Sequence, residues 1–167
     1  MAGKTYLAPL ALYSKKIKSA SEIKDCATIA IPNDPSNGGR ALQLLAKQGW
    51  IELKPDVPAT KVTKADITKY VKKIKIVEIE APQLPRALPD VAAAAVNGTY
   101  ARPAGLSIAK QGVLVESAKG SAYANVLVVR TADKNKPWVK TFIKAYHPPN
   151  MKAFIEKRFG DSTFTAW

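Results

Sequence analysis

A strand-to-helix junction between residues 27 and 49 constrains the fold of this chain more than any other feature. Residues 27–32 form an apolar run with the length and composition of a buried β-strand. Residues 39–47 have the amphipathic pattern of a helix, and the turn between the two segments, residues 33–40, is rich in Asn and Gly. A buried strand that leads directly into an amphipathic helix is the building unit of α/β proteins.

The same turn is predicted to form a seat for an anion. The first backbone N–H groups of a helix have no intrahelical partner and carry partial positive charge, so a carboxylate fits there. Gly38 and Gly39 would allow the backbone to approach a ligand closely. Asn37 or Ser36 would cap the helix, and Arg40 would donate two hydrogen bonds to a carboxylate or phosphate. The alternative interpretation is a capped turn with a solvated arginine.

Composition argues against several classes of function. The chain has 167 residues, 47% of them hydrophobic, which is enough for one domain or two small lobes. Cys26 and His147 are its only cysteine and histidine, so a disulfide, a zinc site or a histidine-based triad lacks the necessary residues. We therefore predict neither an enzyme nor a cofactor. Because Cys26 adjoins an apolar strand, it is expected to be buried.

The net charge of +13 is spread along the chain. Lysines cluster at 15–18 and 69–75 with Tyr70 as the single interleaved aromatic residue and without a known nucleic-acid motif, which favours solvated faces over a nucleic-acid interface. Anionic lipid or nucleic acid remains a weaker alternative. No apolar run approaches the ~20 residues that span a bilayer, and the first residues have no hydrophobic signal region. The chain as given is therefore expected to be soluble, without a signal peptide or a lipid-anchored cysteine.

The remaining pattern predicts strands and helices in alternation. Such alternation indicates a largely parallel sheet, in which ligands gather at the carboxyl ends of the strands. Asn97 follows an apolar strand and Asn125 begins one, so both join the 33–40 turn as candidate ligand contacts. The predicted strands are 6–13, 74–80, 91–96, 113–116 and 123–130, the predicted helices are 64–73, 83–88, 137–146 and 150–159, and residues 50–61 are predicted to be irregular.

Several segments carry a resemblance to a known family. They are LYSKKIKS (12–19), IAIPNDP (29–35), NGGRAL (37–42), QLPR (83–86), VNG (96–98), YANV (123–126), VR (129–130), KAFIEK (152–157) and the closing AW (166–167). With these segments the chain resembles the methionine-binding lipoproteins, the solute-binding components of bacterial ABC importers. Members of that family adopt the two-lobed type II periplasmic binding protein fold, so the resemblance implies that α/β fold here.

The resemblance also implies roles for individual residues. Arg40, on the turn with Asn37, Gly38 and Gly39, would bind the ligand carboxylate. Asn97 and Asn125 would hydrogen-bond the amino-acid backbone groups from opposite lobes. The implied ligand is methionine, a related amino acid or a short peptide, and the implied partners are the membrane subunits of an ABC importer. The implied location is the cell envelope or periplasm, where the family is lipid-anchored.

The resemblance further implies a division into lobes. Residues 1–13 would be the crossover strand of lobe 1, residues 14–100 a nearly complete lobe 2, and residues 101–167 the C-terminal part of lobe 1. The N-terminal part of lobe 1 has no counterpart, so we expect a truncated form with weakened binding. The alternative is an interaction module that binds no ligand and forms homo-oligomers through an exposed strand edge. Residues 6–13 and 123–130 are expected to pair antiparallel as neighbouring strands of lobe 1 and to leave such an edge.

Overall fold

The computed structural model describes residues 1–117 and 121–167, which form two compact units. We call Leu10–Glu116 the sheet unit, and Met1–Pro9 with Ser117–Trp167 the terminal unit. These boundaries differ from the expected ones, which lay after residues 13 and 100. The difference arises because the segments Leu10–Tyr13 and Gly112–Val115 are both strands of the sheet that residues 14–100 help to form.

The described residues form strands and helices in alternation over most of the chain. The strands are β1 (Gly3–Lys4), β2 (Tyr6–Leu7), β3 (Leu10–Tyr13), β4 (Thr28–Pro32), β5 (Ile51–Leu53), β6 (Ile67–Tyr70), β7 (Lys75–Ile79), β8 (Ala93–Asn97), β9 (Gly112–Val115), β10 (Val126–Leu127) and β11 (Phe164–Thr165). The α-helices are α1 (Pro35–Lys47), α2 (Leu84–Ala87), α3 (Gly98–Ala101), α4 (Ile108–Gln111), α5 (Pro137–Tyr146) and α6 (Pro149–Phe159).

The sheet unit contains a five-stranded sheet with the order β7-β4-β8-β3-β9. Strand β4 is parallel to β7 and β8, whereas β3 is antiparallel to both β8 and β9. The sheet is therefore mixed rather than largely parallel as predicted. The parallel strands are connected through helical segments, which parallel pairing requires, and β3 lies between β8 and β9 in the opposite direction.

Both faces of this sheet are covered by apolar side chains. Along β3, Leu10 and Leu12 belong to one buried cluster, while Ala11 and Tyr13 belong to the other. The same alternation holds along β4 and β8. Helix α1 covers the first face, and α2 lies on the second. Strands buried on both faces read as continuous apolar runs, which is why the sequence predicted β4 and β8 correctly to within two residues.

Three local predictions for the sheet unit are wrong. Residues 64–73 form a 3₁₀ turn, Lys64–Asp66, followed by β6, because Ile67, Thr68 and Tyr70 favour strand over helix. Strand β6 pairs antiparallel with β5, which lies within the segment predicted to be irregular. Cys26 is exposed and has a φ of 63°, because it sits in the turn before β4, where its N–H donates to the Lys73 carbonyl.

The terminal unit consists of short strand pairs and two longer helices. Strand β1 pairs antiparallel with β10, and β2 pairs antiparallel with β11. The predicted pairing of residues 6–13 with 123–130 occurs with the predicted direction, but it involves mainly residues 3–6 and 125–127. Helix α5 has the predicted bounds, and α6 begins one residue earlier than predicted. No helix among the described residues is long and apolar enough to span a bilayer.

Candidate functional site

The candidate site lies where β4 and β8 end, at the start of helix α1. The helix begins at Pro35, and Asp34 caps it by accepting a hydrogen bond from the Asn37 N–H at 2.9 Å. The Gly38 N–H donates to the Asp34 carbonyl at 2.8 Å. The prediction that Asn37 or Ser36 caps the helix is therefore wrong. The helix already holds a carboxylate at its first turn, that of Asp34, so the expected anion seat at this terminus is occupied by the protein itself.

Gly38 and Gly39 serve close packing rather than a turn. Both lie inside helix α1 and are buried, and neither has a positive φ. A Cβ atom on Gly38 would lie 2.7 Å from the carbonyl oxygen of Pro32, and one on Gly39 would lie 2.5 Å from that of Val62. Real Cβ atoms essentially never approach so closely. The two glycines thus let α1 approach the backbone of β4 and of the segment around Val62.

Arg40 is buried, with only 8% of the residue exposed, and its guanidinium pairs with a carboxylate of the protein. Its Nε donates to Glu116 Oε2 at 2.7 Å, and its Nη2 lies 2.5 Å from the same oxygen. The alternative of a solvated arginine is therefore wrong. The side chain is held at a fixed position on the sheet unit, as a residue that receives a ligand carboxylate needs to be.

Glu116 connects Arg40 to the strand that opens the sheet unit. Its Oε2 accepts a third hydrogen bond, from the Leu10 N–H at 2.8 Å, and its own N–H donates to the Leu10 carbonyl at 3.1 Å. Leu10 is in turn the antiparallel register partner of Asn97. One carboxylate oxygen thus accepts from two nitrogens of Arg40 and from the β3 backbone beside Asn97.

Asn97 is the last residue of β8 and is 7% exposed. Its Nδ2 donates to the Asn37 side-chain oxygen at 2.8 Å. Its Oδ1 is buried and accepts no hydrogen bond from the part of the chain that the structure describes. A buried oxygen without a donor is costly, and native proteins retain few of them unless a ligand, ion or water supplies the bond.

These contacts form a closed circuit within the sheet unit, which we call the site ring. It runs from Arg40 through Glu116 and Leu10 to Asn97, then through Asn37 and along the first turns of α1 back to Arg40. The structure therefore brings Arg40, Asn97 and Asn37 together, with Gly38 and Gly39 setting the depth of the helix.

Asn125 belongs to the terminal unit, whereas the other predicted site residues belong to the sheet unit. It is exposed, and its Nδ2 donates to the Tyr6 carbonyl at 3.3 Å. Its backbone also pairs with the first strands, since the Asn125 N–H donates to the Tyr6 carbonyl and its carbonyl accepts from the Thr5 N–H. Its role toward a ligand stays a prediction.

Sequence reasoning missed Glu116. It was treated only as the end of a predicted strand, although a signal was present. A lone acidic residue directly after three apolar residues, Val113 to Val115, is unusual in a chain with a net charge of +13 and suggests a buried counter-ion. Among the described residues, no group of three or more His, Cys, Asp or Glu side chains could hold a metal ion.

Comparison with known proteins places this geometry in context. The family model of the NlpA lipoproteins matches residues 1–167. The D-methionine-binding lipoprotein MetQ of Salmonella typhi is 46% identical over 167 residues, and its counterpart in Escherichia coli K12 is 44% identical. Each alignment covers 99% of this chain and 61% of the relative. The chain thus spans about three fifths of the length of these relatives.

Solved structures show the same fold at similar identity. A nutrient-binding protein from Burkholderia cenocepacia bound to methionine superposes with a TM-score of 0.82 at 46% identity, covering 99% of this chain and 69% of that one. A periplasmic substrate-binding protein of an ABC transporter from Coxiella burnetii gives the same TM-score and identity, with 99% and 68% coverage. These relatives are binding proteins and not enzymes, as the sequence predicted.

Proposed function

Because the chain belongs to the NlpA lipoprotein family, we propose that it binds methionine, or a related amino acid or short peptide, as the solute-binding polypeptide of an ABC importer. Relatives at 44–46% identity are named for methionine binding, and the site ring offers chemistry that suits an amino acid. The ligand would be held through its carboxylate and its amino group.

The observation that carries this proposal is the buried Oδ1 of Asn97. An ammonium group is a donor only, with up to three N–H bonds, so it supplies what this oxygen lacks. The Nδ2–Asn37 contact uses one of the two N–H groups of the amide, and the oxygen is the buried atom that has no donor among the described residues, so a donor on the ligand suits it. We assign the α-ammonium group to Asn97 on this ground.

Arg40 suits the other end of the ligand. A guanidinium has five N–H groups and binds carboxylates through two of them at a time. Glu116 Oε2 contacts both Nε and Nη2, which holds the guanidinium at a fixed position. We propose that the ligand carboxylate binds the guanidinium of Arg40.

The remaining parts of the proposal rest on the family. Asn125 remains a proposed donor to the ligand, and the membrane subunits of an ABC importer and the cell envelope are the proposed partner and location. We also propose that these 167 residues on their own bind more weakly than a full-length relative. They span 61% of the relatives' length, and a binding protein of this type gains affinity by enclosing its ligand from several sides.

Calorimetric titration with D- and L-methionine tests the proposal. We expect saturable binding, and a rise in thermal stability that grows with ligand concentration, because only the folded state binds. Asn97→Ala should weaken binding by about 1–3 kcal/mol, the usual cost of losing a buried hydrogen bond to a charged group.

Asn135→Ala is the matched control, since Asn135 is an exposed asparagine outside the site ring. It should bind methionine as the wild type does. If neither enantiomer produces a heat of binding or a rise in thermal stability, the proposed function is contradicted. An Asn97→Ala variant that binds as tightly as the wild type would contradict the assignment of Asn97.

A further inference from the structure

Glu116 gives the site ring an unusual charge balance. The cationic Arg40 and the anionic Glu116 are in direct contact, and their side chains are only 9% and 12% exposed. The other side chains of the ring, Asn37 and Asn97, are neutral. The Asp34 carboxylate accepts from the Asn37 N–H and from the Asn37 side-chain amide, and it lies at the start of α1, whose partial positive charge offsets it. The ring therefore holds no net positive charge that a simple anion would neutralise.

We propose that Glu116 is a specificity-determining residue that makes the site prefer zwitterionic amino acids over carboxylates that lack an ammonium group. This inference rests on the proposed function. By neutralising Arg40, Glu116 removes most of the attraction for an anionic ligand. A zwitterion still binds, because its own ammonium group offsets its carboxylate.

The hydrogen bonds of Glu116 prevent its side chain from moving away from a ligand carboxylate that binds Arg40. Its Oε2 accepts from Arg40 Nε, from Arg40 Nη2 and from the Leu10 N–H, so three donors hold it in place. A ligand carboxylate on the same guanidinium would lie within several ångströms of this oxygen. Since both side chains are largely shielded from water, the repulsion is screened less than it is on a surface.

The ammonium group of an amino acid relieves this repulsion directly. It would bind Asn97 Oδ1, and Asn97 is the register partner of Leu10, whose N–H donates to Glu116 Oε2, so the positive charge would lie in the same part of the ring as Glu116. A ligand without an ammonium group brings a second negative charge and leaves Asn97 Oδ1 without a donor. Loss of the amino group is therefore penalised twice, and only the first penalty depends on Glu116.

Glu116→Gln separates the two penalties. Glutamine keeps the length and one acceptor oxygen but removes the charge. The ligands are L-methionine and 4-(methylsulfanyl)butanoate, which is methionine without its amino group, and each dissociation constant is measured by calorimetry or by competition. We expect the ratio of the two constants, anion over zwitterion, to fall on the order of 10-fold in Glu116→Gln relative to the wild type.

Glu52→Gln is the matched control. Glu52 pairs with Lys69 on the surface, where both side chains are more than half exposed, and its ratio should equal that of the wild type. A merely structural role of Glu116 would weaken both ligands alike and leave the ratio unchanged, so an unchanged ratio overturns the inference. If Glu116→Gln does not fold, Glu116→Asn provides a second neutral variant with the same expected change.

The outcomes also separate this inference from the proposed function. Methionine binding by the wild type that is lost in Asn97→Ala, together with an unchanged ratio in Glu116→Gln, overturns only the role of Glu116. A wild-type protein that binds neither ligand overturns the proposed function, and the specificity inference with it. A fall in the ratio supports both.

Discussion

The two compact units of this chain differ in how much of their apolar surface they bury. In the sheet unit, apolar side chains cover both faces of a five-stranded sheet. In the terminal unit, each strand has two residues, and the buried apolar residues among those described are Leu7, Pro9, Val139 and Ile155. Apolar residues are thus buried to different extents in the two units, because burial requires an extended element to pack against.

Helix α5 illustrates the difference within one element. Val139 is 1% exposed, whereas Trp138 and Phe142, four residues apart and hence on one side of the helix, are 50% and 48% exposed. A surface helix normally buries a single apolar stripe. Helix α5 has a wider apolar surface than the terminal unit covers.

The three longest helices differ in how they begin. Asp34 caps α1 with a side-chain hydrogen bond, whereas the residues before α5 and α6, Lys136 and Pro148, make none. Helix α1 therefore begins with a side-chain hydrogen bond that α5 and α6 do not have, and that the short helices α2, α3 and α4 of the sheet unit do not have either.

The largest expected effects come from core substitutions that contrast the two units. Leu42→Ala, at a residue 1% exposed in α1, should lower the free energy of unfolding by about 2–5 kcal/mol, since it leaves a cavity in a packed core. Phe142→Ala should change it by less than about 0.5 kcal/mol, because nearly half of that side chain is already in water. Urea unfolding measures both. A comparable loss in the two variants would show that α5 is packed as tightly as α1.

The second expected effect concerns ligand binding. Arg40→Ala should weaken methionine binding by roughly 2–5 kcal/mol, the range for losing one partner of a desolvated charge pair, and the low end is expected because Glu116 already shares the guanidinium. Asn125→Ala, in the terminal unit, should cost about 1 kcal/mol, the value of one neutral hydrogen bond. Calorimetric titration of the folded variants with methionine measures both losses of affinity. Equal effects would mean that the sheet unit does not dominate recognition.

The third expected effect concerns the caps. Asp34→Ala should lower the free energy of unfolding by about 1 kcal/mol, because the Asn37 N–H loses its acceptor. Lys136→Ser should raise it by up to about 1 kcal/mol by giving α5 a side-chain cap that it does not have. Thermal melts of the two variants and the wild type provide the test. A destabilised Lys136→Ser protein would indicate that the ion pair between Lys136 and Asp133 matters more than the cap.

The smallest expected effect is weak self-association through the terminal unit. Exposed apolar side chains such as Trp138 and Phe142 favour it, while the net charge of +13 opposes it, most strongly at low salt. Near physiological ionic strength, where the Debye length is about 8 Å, we expect light scattering to detect dimers at high protein concentration. Trp138→Ser with Phe142→Ser should abolish them. A monomer at every concentration and salt would show that this surface does not associate with itself.

Sequence alone predicted the sheet unit well where pattern and packing agree. Strands β4, β7 and β8 are apolar on one or both faces, so their periodicity matches their burial. Residues 64–73 were misassigned because Ile67 and Val71 fit helical spacing, while pairing with β5 decided the outcome. The direction of β3 depends on which strands lie beside it, and short-range patterns do not contain that information.

The candidate site was predictable in its residues but not in its contacts. Arg40 and Asn97 follow from glycine-rich and Asn-Gly junctions at strand ends. Their partners lie far away in the sequence, since Glu116 is 76 residues from Arg40 and Asn37 is 60 residues from Asn97. The sequence predicted that the helix begins at residue 39, whereas it begins at Pro35. The pair Asp34-Pro35 is a strong helix-initiation signal, and it lies before Gly38 and Gly39.

The missing Cβ atoms of Gly38 and Gly39 have a consequence for how this site can evolve. A methyl group at either position would meet a backbone oxygen at 2.7 or 2.5 Å, so α1 would have to lift away from Pro32 or Val62. Arg40 and Asn37 lie in the same turns of α1 and would move with the helix. Alanine at either position would therefore change the distances in the ring without contacting the ligand. Alanine is ordinarily well tolerated in a helix, but here it is among the least tolerable substitutions that the site could acquire.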